Sequence, residues 1–370
     1  MKIIVVYSFA IHPGVHKLAA TLARNGHDVK LLLWDRDNKL PKVEKVDSFA
    51  VHRFRFKAPY GKLAVLLFHP LWWLYELLFI LRQNPDVVHA CNLDTLPPAI
   101  VAKLVKRTKL CYSILDPYGS AYTGRVPSIF RKLAGFLEKR SISFTDILFL
   151  VTEAIYEDFK DAKIKRLVYI YNSPEERTDV EVTPKASSET CIFYAGWMAD
   201  SRGLKEMIDA LDGIEGVRLV MAGKELDKGI VEYGKSKLAK FEYLDWIPYK
   251  EVIRKTMEAD ILFVFYNPHV ASFKYSTPNK IFEAMMCSKP IIVNEGLAAS
   301  RIVAQEGFGI FVPYGDVNAI REAVTRLKND PELRQRLGQN GRRAYDNRYS
   351  WKIMESRLLE AYKDLEKWLT

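Results

Sequence analysis

Short apolar runs alternate with amphipathic stretches along most of the chain. In the first half the runs are KIIVVYS from Lys2, DVKLLLW from Asp28, FAVHRFRF from Phe49, DVVHA from Asp86, KLCYSIL from Lys109, DILFLV from Asp146 and LVYIY from Leu167. Stretches with helical spacing, such as GVHKLAATLARNGH and LPPAIVAKLVKR, lie between several of them. Strand, helix, strand at this spacing predicts a parallel sheet with right-handed crossovers. Near residue 172 the pattern breaks into NSPEERTDVEVTPKASSET, which is polar and without apolar period and predicts an interdomain linker. Alternation then restarts with CIFYAG, GVRLVMAG, KFEYLDW, DILFVFY, KPIIVNE and GIFVP. The tail, YSWKIMESRLLEAYKDLEKWLT, is a long amphipathic helix with no strand after it, so it needs a surface to cover; the back of the first domain is the expected one.

The pattern predicts an α/β protein of two doubly wound, Rossmann-like domains in series. The expected division is 1–172 plus 350–370 for the first domain, 173–190 for the linker and 191–349 for the second. Doubly wound folds bind ligands outside the carboxyl ends of their strands, so a cleft between two such domains is the default site.

Composition is ordinary for a globular protein, with 49% apolar and 27% charged residues, so disorder is not the default reading. The net charge is +10, and it is unevenly placed: residues 1–180 hold 27 Lys/Arg against 18 Asp/Glu, whereas the remainder is nearly balanced. Such asymmetry suggests an acidic partner, whether anionic lipid, an acidic acceptor or nucleic acid, with a generically basic soluble surface as the other reading. The cysteines Cys91, Cys111, Cys191 and Cys287 are far apart and read as reduced and structural, which suits a cytoplasmic protein. The opening MKIIVVYSFAIHPG is too short an apolar segment for a signal peptide and reads as a first strand. The stretch Lys62–Arg82 is nearly as long as a membrane span, but it contains His69, Pro70 and Glu76 and runs straight into a strand. It is expected as a helix on the sheet, with a face dipping into a bilayer as the alternative.

One helix carries chemistry. In FKYSTPNKIFEAMMCSKPIIV, from Phe273, Thr277 is the expected N-cap and Pro278 the first helical residue. Asn279 and Lys280 then sit in the first turn, where free N–H groups favour an anion, and Glu283 shares their face. Phosphates at the start and ribose hydroxyls on the carboxylate would suit a nucleoside diphosphate. A Lys280–Glu283 ion pair on a wet helix edge is the other reading. In FYAGWMADSRGLKEMIDAL, from Phe193, Gly196 permits close backbone approach at a strand end, and Arg202-Gly203 opens a helix with a guanidinium able to reach phosphate.

Together the two stretches resemble the GT-B glycosyltransferases of retaining family 4 (group 1), through Gly196, Arg202-Gly203, and Pro278, Lys280 and Glu283 through Pro290. In the first half, Asp86 to Asp116 and the stretch GVHKLAATLARNGHDVKLLL resemble that family too, as does the closing helix. The resemblance implies an acceptor-side first domain and a nucleotide-sugar donor-binding second domain. It implies that Glu283 binds the donor ribose, while Arg202, the main chain around Gly196 and the Pro278–Lys280 helix start bind diphosphate. Transfer would proceed with retention and without a cofactor or bound metal. Three positions depart from the family pattern: Tyr275 replaces a frequent Glu, Trp197 a frequent Arg, and Leu115 a frequent His. Asp94 and Asp116 are the candidates for contact with donor or acceptor sugar; turn and cap roles are their alternatives.

Other signatures are weak. Asp35-Arg36-Asp37 is formally DxD, but it follows a strand and reads as a polar turn. His12, His16, His27, His52, His69, His89 and His269 form no HExxH spacing, and the first βα turn lacks GxGxxG, against an NAD dehydrogenase. The expected function is transfer of a sugar from a UDP- or GDP-sugar to a lipid-linked or envelope glycan, on the cytoplasmic side and peripheral to an anionic membrane surface, with no nucleic acid partner. A non-catalytic nucleotide-sugar-binding subunit and a nucleotide-sugar 2-epimerase are the alternatives.

Overall fold

A computed structural model describes the chain apart from residues 47, 61–62, 120–125, 178, 181–187, 271–272, 274 and 368–370. It forms two compact units, Met1–Asn172 with Met354–Thr370, and Ser173–Ile353.

The first unit holds strands β1 (Lys2–Tyr7), β2 (Asp28–Asp35), β3 (Val43–Val46), β4 (Phe49–Arg55), β5 (Val87–Cys91), β6 (Lys109–Ile114), β7 (Ile147–Leu150) and β8 (Leu167–Tyr169). Their order across the sheet is β3-β4-β2-β1-β5-β6-β7-β8. All pairs are parallel except β3 with β4. The helices are α1 (Pro13–Arg24), α2 (His69–Gln83), α3 (Leu96–Lys106), α4 (Ser128–Ser141) and the short α5 (Tyr156–Phe159). Every strand expected from an apolar run is present. The unexpected one is β3, whose VEKV sequence is mostly exposed at the sheet edge and so carries no burial signal.

The second unit holds β9 (Thr190–Ala195), β10 (Val217–Ala222), β11 (Phe241–Tyr243), β12 (Ile261–Val264), β13 (Ile291–Asn294) and β14 (Gly309–Val312), in the all-parallel order β11-β10-β9-β12-β13-β14. Its helices are α6 (Leu204–Leu211), α7 (Ile230–Lys237), α8 (Tyr249–Glu258), α9 (Asn279–Met286), α10 (Ala298–Glu306), α11 (Val317–Asn329) and α12 (Pro331–Ala344). The start of the expected linker is held by this unit. Tyr345 donates to the Pro174 carbonyl at 2.9 Å, and Arg342 bonds Glu176 at 2.6 Å. Residues 178 and 181–187 of that stretch lie outside the described residues.

Helix α13 (Trp351–Lys367) is the last described element, and from Met354 onward it belongs to the first unit. Met354, Leu358, Ala361, Tyr362 and Leu365 form its buried stripe. The Tyr362 hydroxyl meets Nδ1 of His89 at 2.7 Å, and His89 Nε2 meets the Ser113 hydroxyl at 2.6 Å. Burial pushes the His89 pKa down to about 3, so the ring is neutral and donates through one nitrogen while accepting through the other. This chain of bonds ties α13 to β5 and β6. Tyr362→Phe leaves a buried polar atom unpaired and is expected to cost about 1–3 kcal/mol, read as a lowered urea midpoint; an unchanged midpoint would show that the apolar stripe alone holds α13.

Candidate functional site

In the second unit the sequence-expected residues converge at the carboxyl ends of β9 and β12 and the start of α9. Strand β9 ends in Ala195, and Gly196 follows at φ +151°. A Cβ there would lie 2.7 Å from the Lys280 ammonium, so the missing side chain is what admits the lysine. Gly223, after β10, has φ +132°, and its own Cβ would fall 1.9 Å from the Gly196 carbonyl oxygen. The two glycines let adjacent strand ends approach backbone to backbone.

Helix α9 begins at Asn279, with Pro278 as its N-cap and no side-chain cap. The expected Thr277 cap is thus one residue off: Pro278 has extended backbone, with ψ 147°, and so cannot be the first helical residue. Lys280 points back toward the strand ends, its ammonium 4.6 Å from the centre of the Tyr194 ring. No described carboxylate lies within ion-pair distance of it, so the Lys280–Glu283 pair is not the arrangement formed. Burial lowers the Lys280 pKa from its ordinary 10.5 to about 8; the Glu283 charge raises it, and Arg202 lowers it further.

Arg202 ends the 3-10 turn Asp200–Arg202, and Gly203 takes the left-handed conformation at φ +61° to open α6. A Cβ on Gly203 would strike the Phe265 side chain at 2.7 Å. The guanidinium lies 4.1 Å from the centre of the Tyr266 ring and 4.6 Å from that of Phe273, two rings that stack on each other. Buried Asn294 holds this loop by accepting from the Tyr266 N–H and donating to its carbonyl. Arg202 is therefore fixed by the ends of β12 and β13 rather than loose on the surface.

Glu283 is buried, one turn into α9 on the Lys280 side, with Tyr249 of α8 beside its carboxylate. Desolvation and the Glu283 charge drive the Tyr249 pKa far up. Asn279 is exposed at the helix start. The assembled group is thus two cations, a helix N-terminus and one buried carboxylate, on backbone that glycines allow to approach closely. Such a grouping is chemically suited to an anion joined to a hydroxyl-bearing group.

Tyr249 and a tryptophan pair escaped the sequence reading. Trp197 and Trp246 are both exposed with ring centres 6.0 Å apart, after β9 and β11. Asp245, at φ +50°, precedes Trp246 and binds its N–H at 2.7 Å. Asp245 takes a left-handed conformation that Asp tolerates, beside the two exposed rings. The only sequence signal would have been the Asp-Trp placed directly after a short strand.

In the first unit, Asp94 and Asp116 lie at the carboxyl ends of the adjacent strands β5 and β6. The Asn92 side chain joins these ends, accepting from the Leu115 and Asp116 N–H groups at 2.9 and 3.3 Å. Asp94 is buried, with neither carboxylate oxygen hydrogen-bonded; His69 lies 3.8 Å away, and Trp73 donates to its main-chain oxygen. Asp116 is exposed. Sequence reasoning missed Glu76 as a neighbour: it is fully buried on α2, without a hydrogen-bond partner, and burial and the Asp94 charge raise its pKa well above the carboxylate range. Asp35 is a turn carboxylate, buried and accepting from the Leu40 N–H at 2.8 Å. Neighbouring Arg36 packs against the rings of Phe9 and Trp34.

Comparison with known proteins identifies the family and the fold. Residues 10–173 match the model of a glycosyl transferase 4-like domain, and residues 175–344 that of glycosyl transferases group 1. An uncharacterized glycosyltransferase of Methanocaldococcus jannaschii is 23% identical over 76% of each chain. Among solved structures, sucrose-phosphate synthase from Thermosynechococcus elongatus shares the fold with a TM-score of 0.81, 15% identity and 99% of each chain covered. The Anabaena protein HepE, in complex with UDP and glucose, has a TM-score of 0.71 at 15% identity, covering 98% of this chain and all of its own.

Proposed function

Since the chain belongs to the group 1 glycosyltransferases of GT-B fold, we propose that it moves a sugar from a nucleoside-diphosphate donor to a glycan or lipid-linked acceptor, with retention of configuration. The observation that carries the donor reading is the convergence of Lys280 and Arg202 beside Gly196, with Glu283 one helical turn away. Diphosphate would take the cations and the α9 N-terminus, and the ribose hydroxyls would take Glu283. The UDP bound by HepE, on the same fold, makes UDP the first nucleotide to try.

Bond cleavage leaves charge on the departing phosphate oxygen, so fixed cations and N–H donors lower the barrier most where that charge grows. In this reading Lys280 and Arg202 do that work, and no metal step is invoked. Asp94 and Asp116 would contact sugar from the first unit, with Asn92 setting the loop that carries Asp116. The basic first half supports an acceptor with anionic character, met on the cytoplasmic side.

Thermal melts with UDP, GDP and ADP test the donor site. At a hundred times its dissociation constant a nucleotide stabilises by about 2.7 kcal/mol, a rise of a few degrees. One nucleotide is expected to give this rise with the parent and little with Glu283→Ala. No rise with any of the three would remove the donor reading from this site.

A further inference from the structure

The crossovers β4 to β5, β5 to β6 and β6 to β7 all advance the same way along the first sheet. Right-handed connection therefore puts α2, α3 and α4 on one face, and α1, which crosses in the opposite direction, on the other. The face made by α2, α3 and α4 is unusually apolar. On α4, Ile129, Phe130, Leu133, Phe136 and Leu137 are 71, 53, 53, 61 and 49% exposed. Their spacing is that of a single stripe on a helix, turned to solvent instead of to the core. Among the described residues of α4, Glu138 alone is buried. Leu104 and Val105 of α3, with Leu71 and Leu74 of α2, extend the exposed apolar surface, and α2 packs directly on α3. Single exposed leucines need no explanation, but a full stripe of large apolar side chains turned to solvent, with more of them on the same face of the sheet, marks an interaction site.

The charges on the same helices identify the partner. Arg82, Lys106, Lys132 and Arg140 are exposed, whereas the two acidic residues of these helices, Glu76 and Glu138, are both completely buried. Every charge that the three helices present to solvent is thus positive. A symmetric contact between two copies would set cations against cations. An acidic bilayer surface instead receives apolar side chains at its headgroup boundary while long basic side chains stay among the phosphates.

We propose that the α2–α3–α4 face of the first unit is a docking surface for an anionic lipid bilayer, with the stripe of α4 entering the headgroup layer. It does so without crossing: no helix among the described residues is long and apolar enough to span a membrane. The surface extends the lipid-linked reading of the acceptor to the place where such an acceptor would be met, but it is carried by the face itself.

The test is flotation of the full chain with vesicles of phosphatidylcholine alone or mixed with phosphatidylglycerol. The parent is expected to float with the mixed vesicles and to be released in part by high salt. Two variants, Ile129→Glu with Phe136→Glu, and Lys132→Glu with Arg140→Glu, are each expected to bind about tenfold or more weakly. These positions are exposed, and an unchanged melting temperature and nucleotide-induced rise would show that the fold and donor site are intact. A parent that never floats with mixed vesicles, or variants that float equally well, would overturn the proposal. So would concentration-dependent self-association that Ile129→Glu with Phe136→Glu abolishes while vesicles capture nothing. A chain that floats as expected but transfers no sugar to a lipid-linked acceptor would keep the docking face and remove the acceptor reading.

Discussion

Lys280→Met is expected to slow release of nucleoside diphosphate from the sugar donor by about 10²–10³-fold, the range seen when one fixed donor to a developing anion is removed. Methionine keeps the length and apolar stem of the side chain, so the change isolates the ammonium. Its nitrogen would lie 2.7 Å from a Cβ on Gly196, and no described carboxylate lies within ion-pair distance of it. A rate within threefold of the parent would take Lys280 out of the mechanism.

The same residue sets a pH signature. Burial brings its pKa to about 8, so part of the free protein already holds Lys280 neutral near that pH. A diphosphate binds the charged form better, and apparent affinity is expected to fall as pH rises through about 8. Titration calorimetry across that range should show the fall in the parent and lose it in Lys280→Met. For the unliganded protein the sign is opposite. Between about 8 and 10.5 the unfolded chain carries a proton that the folded one lacks, so stability rises with pH in that window. The variant should lack this rise as well.

Gly223→Ala is the second large effect. Its Cβ would stand 1.9 Å from the carbonyl oxygen and 2.7 Å from the carbonyl carbon of Gly196, at a φ of +132° that side chains rarely adopt. Both obstructing atoms are backbone, held by the ladder between β9 and β10, so neither can swing aside. A loss of about 3 kcal/mol or more is expected, with the nucleotide-induced thermal rise lost because Gly196 must move. Gly213→Ala is the control: it shares a positive φ, +81°, but a Cβ there meets nothing, so only about 1 kcal/mol of strain is expected. Equal urea midpoints for the two variants would show that strain, not the approach of the two strand ends, is what these glycines relieve.

How much of this was readable in advance differs by element. Buried parallel strands are apolar throughout, so β1, β5 and β9 announce themselves in the sequence; β3 does not, because an exposed edge strand needs no apolar residue. Glu283 and Lys280 were legible because helical spacing alone places them on one face. Gly196 and Arg202 were legible because a glycine at a strand end, followed by a basic-glycine pair, is a local pattern. The Thr277 cap failed locally too, since Pro278 holds the extended backbone that a cap residue can also adopt.

Sequence by itself determined the two α/β halves, the site-bearing helix and the polar residues aligned along it, because strand burial and helix period are properties of neighbouring residues. Only the tertiary structure decided that Lys280 lies against Gly196 and the Tyr194 ring rather than pairing with Glu283, that Tyr249 comes beside the carboxylate, and that Tyr266 and Phe273 hold Arg202. Those choices follow from the strand order β11-β10-β9-β12-β13-β14, which brings residues some 30 to 90 positions apart to the same end of the sheet, and no local spacing encodes that order. The exposure of the α4 stripe belongs to the same class: amphipathic period shows that a helix has an apolar face, but only packing decides whether that face meets the core.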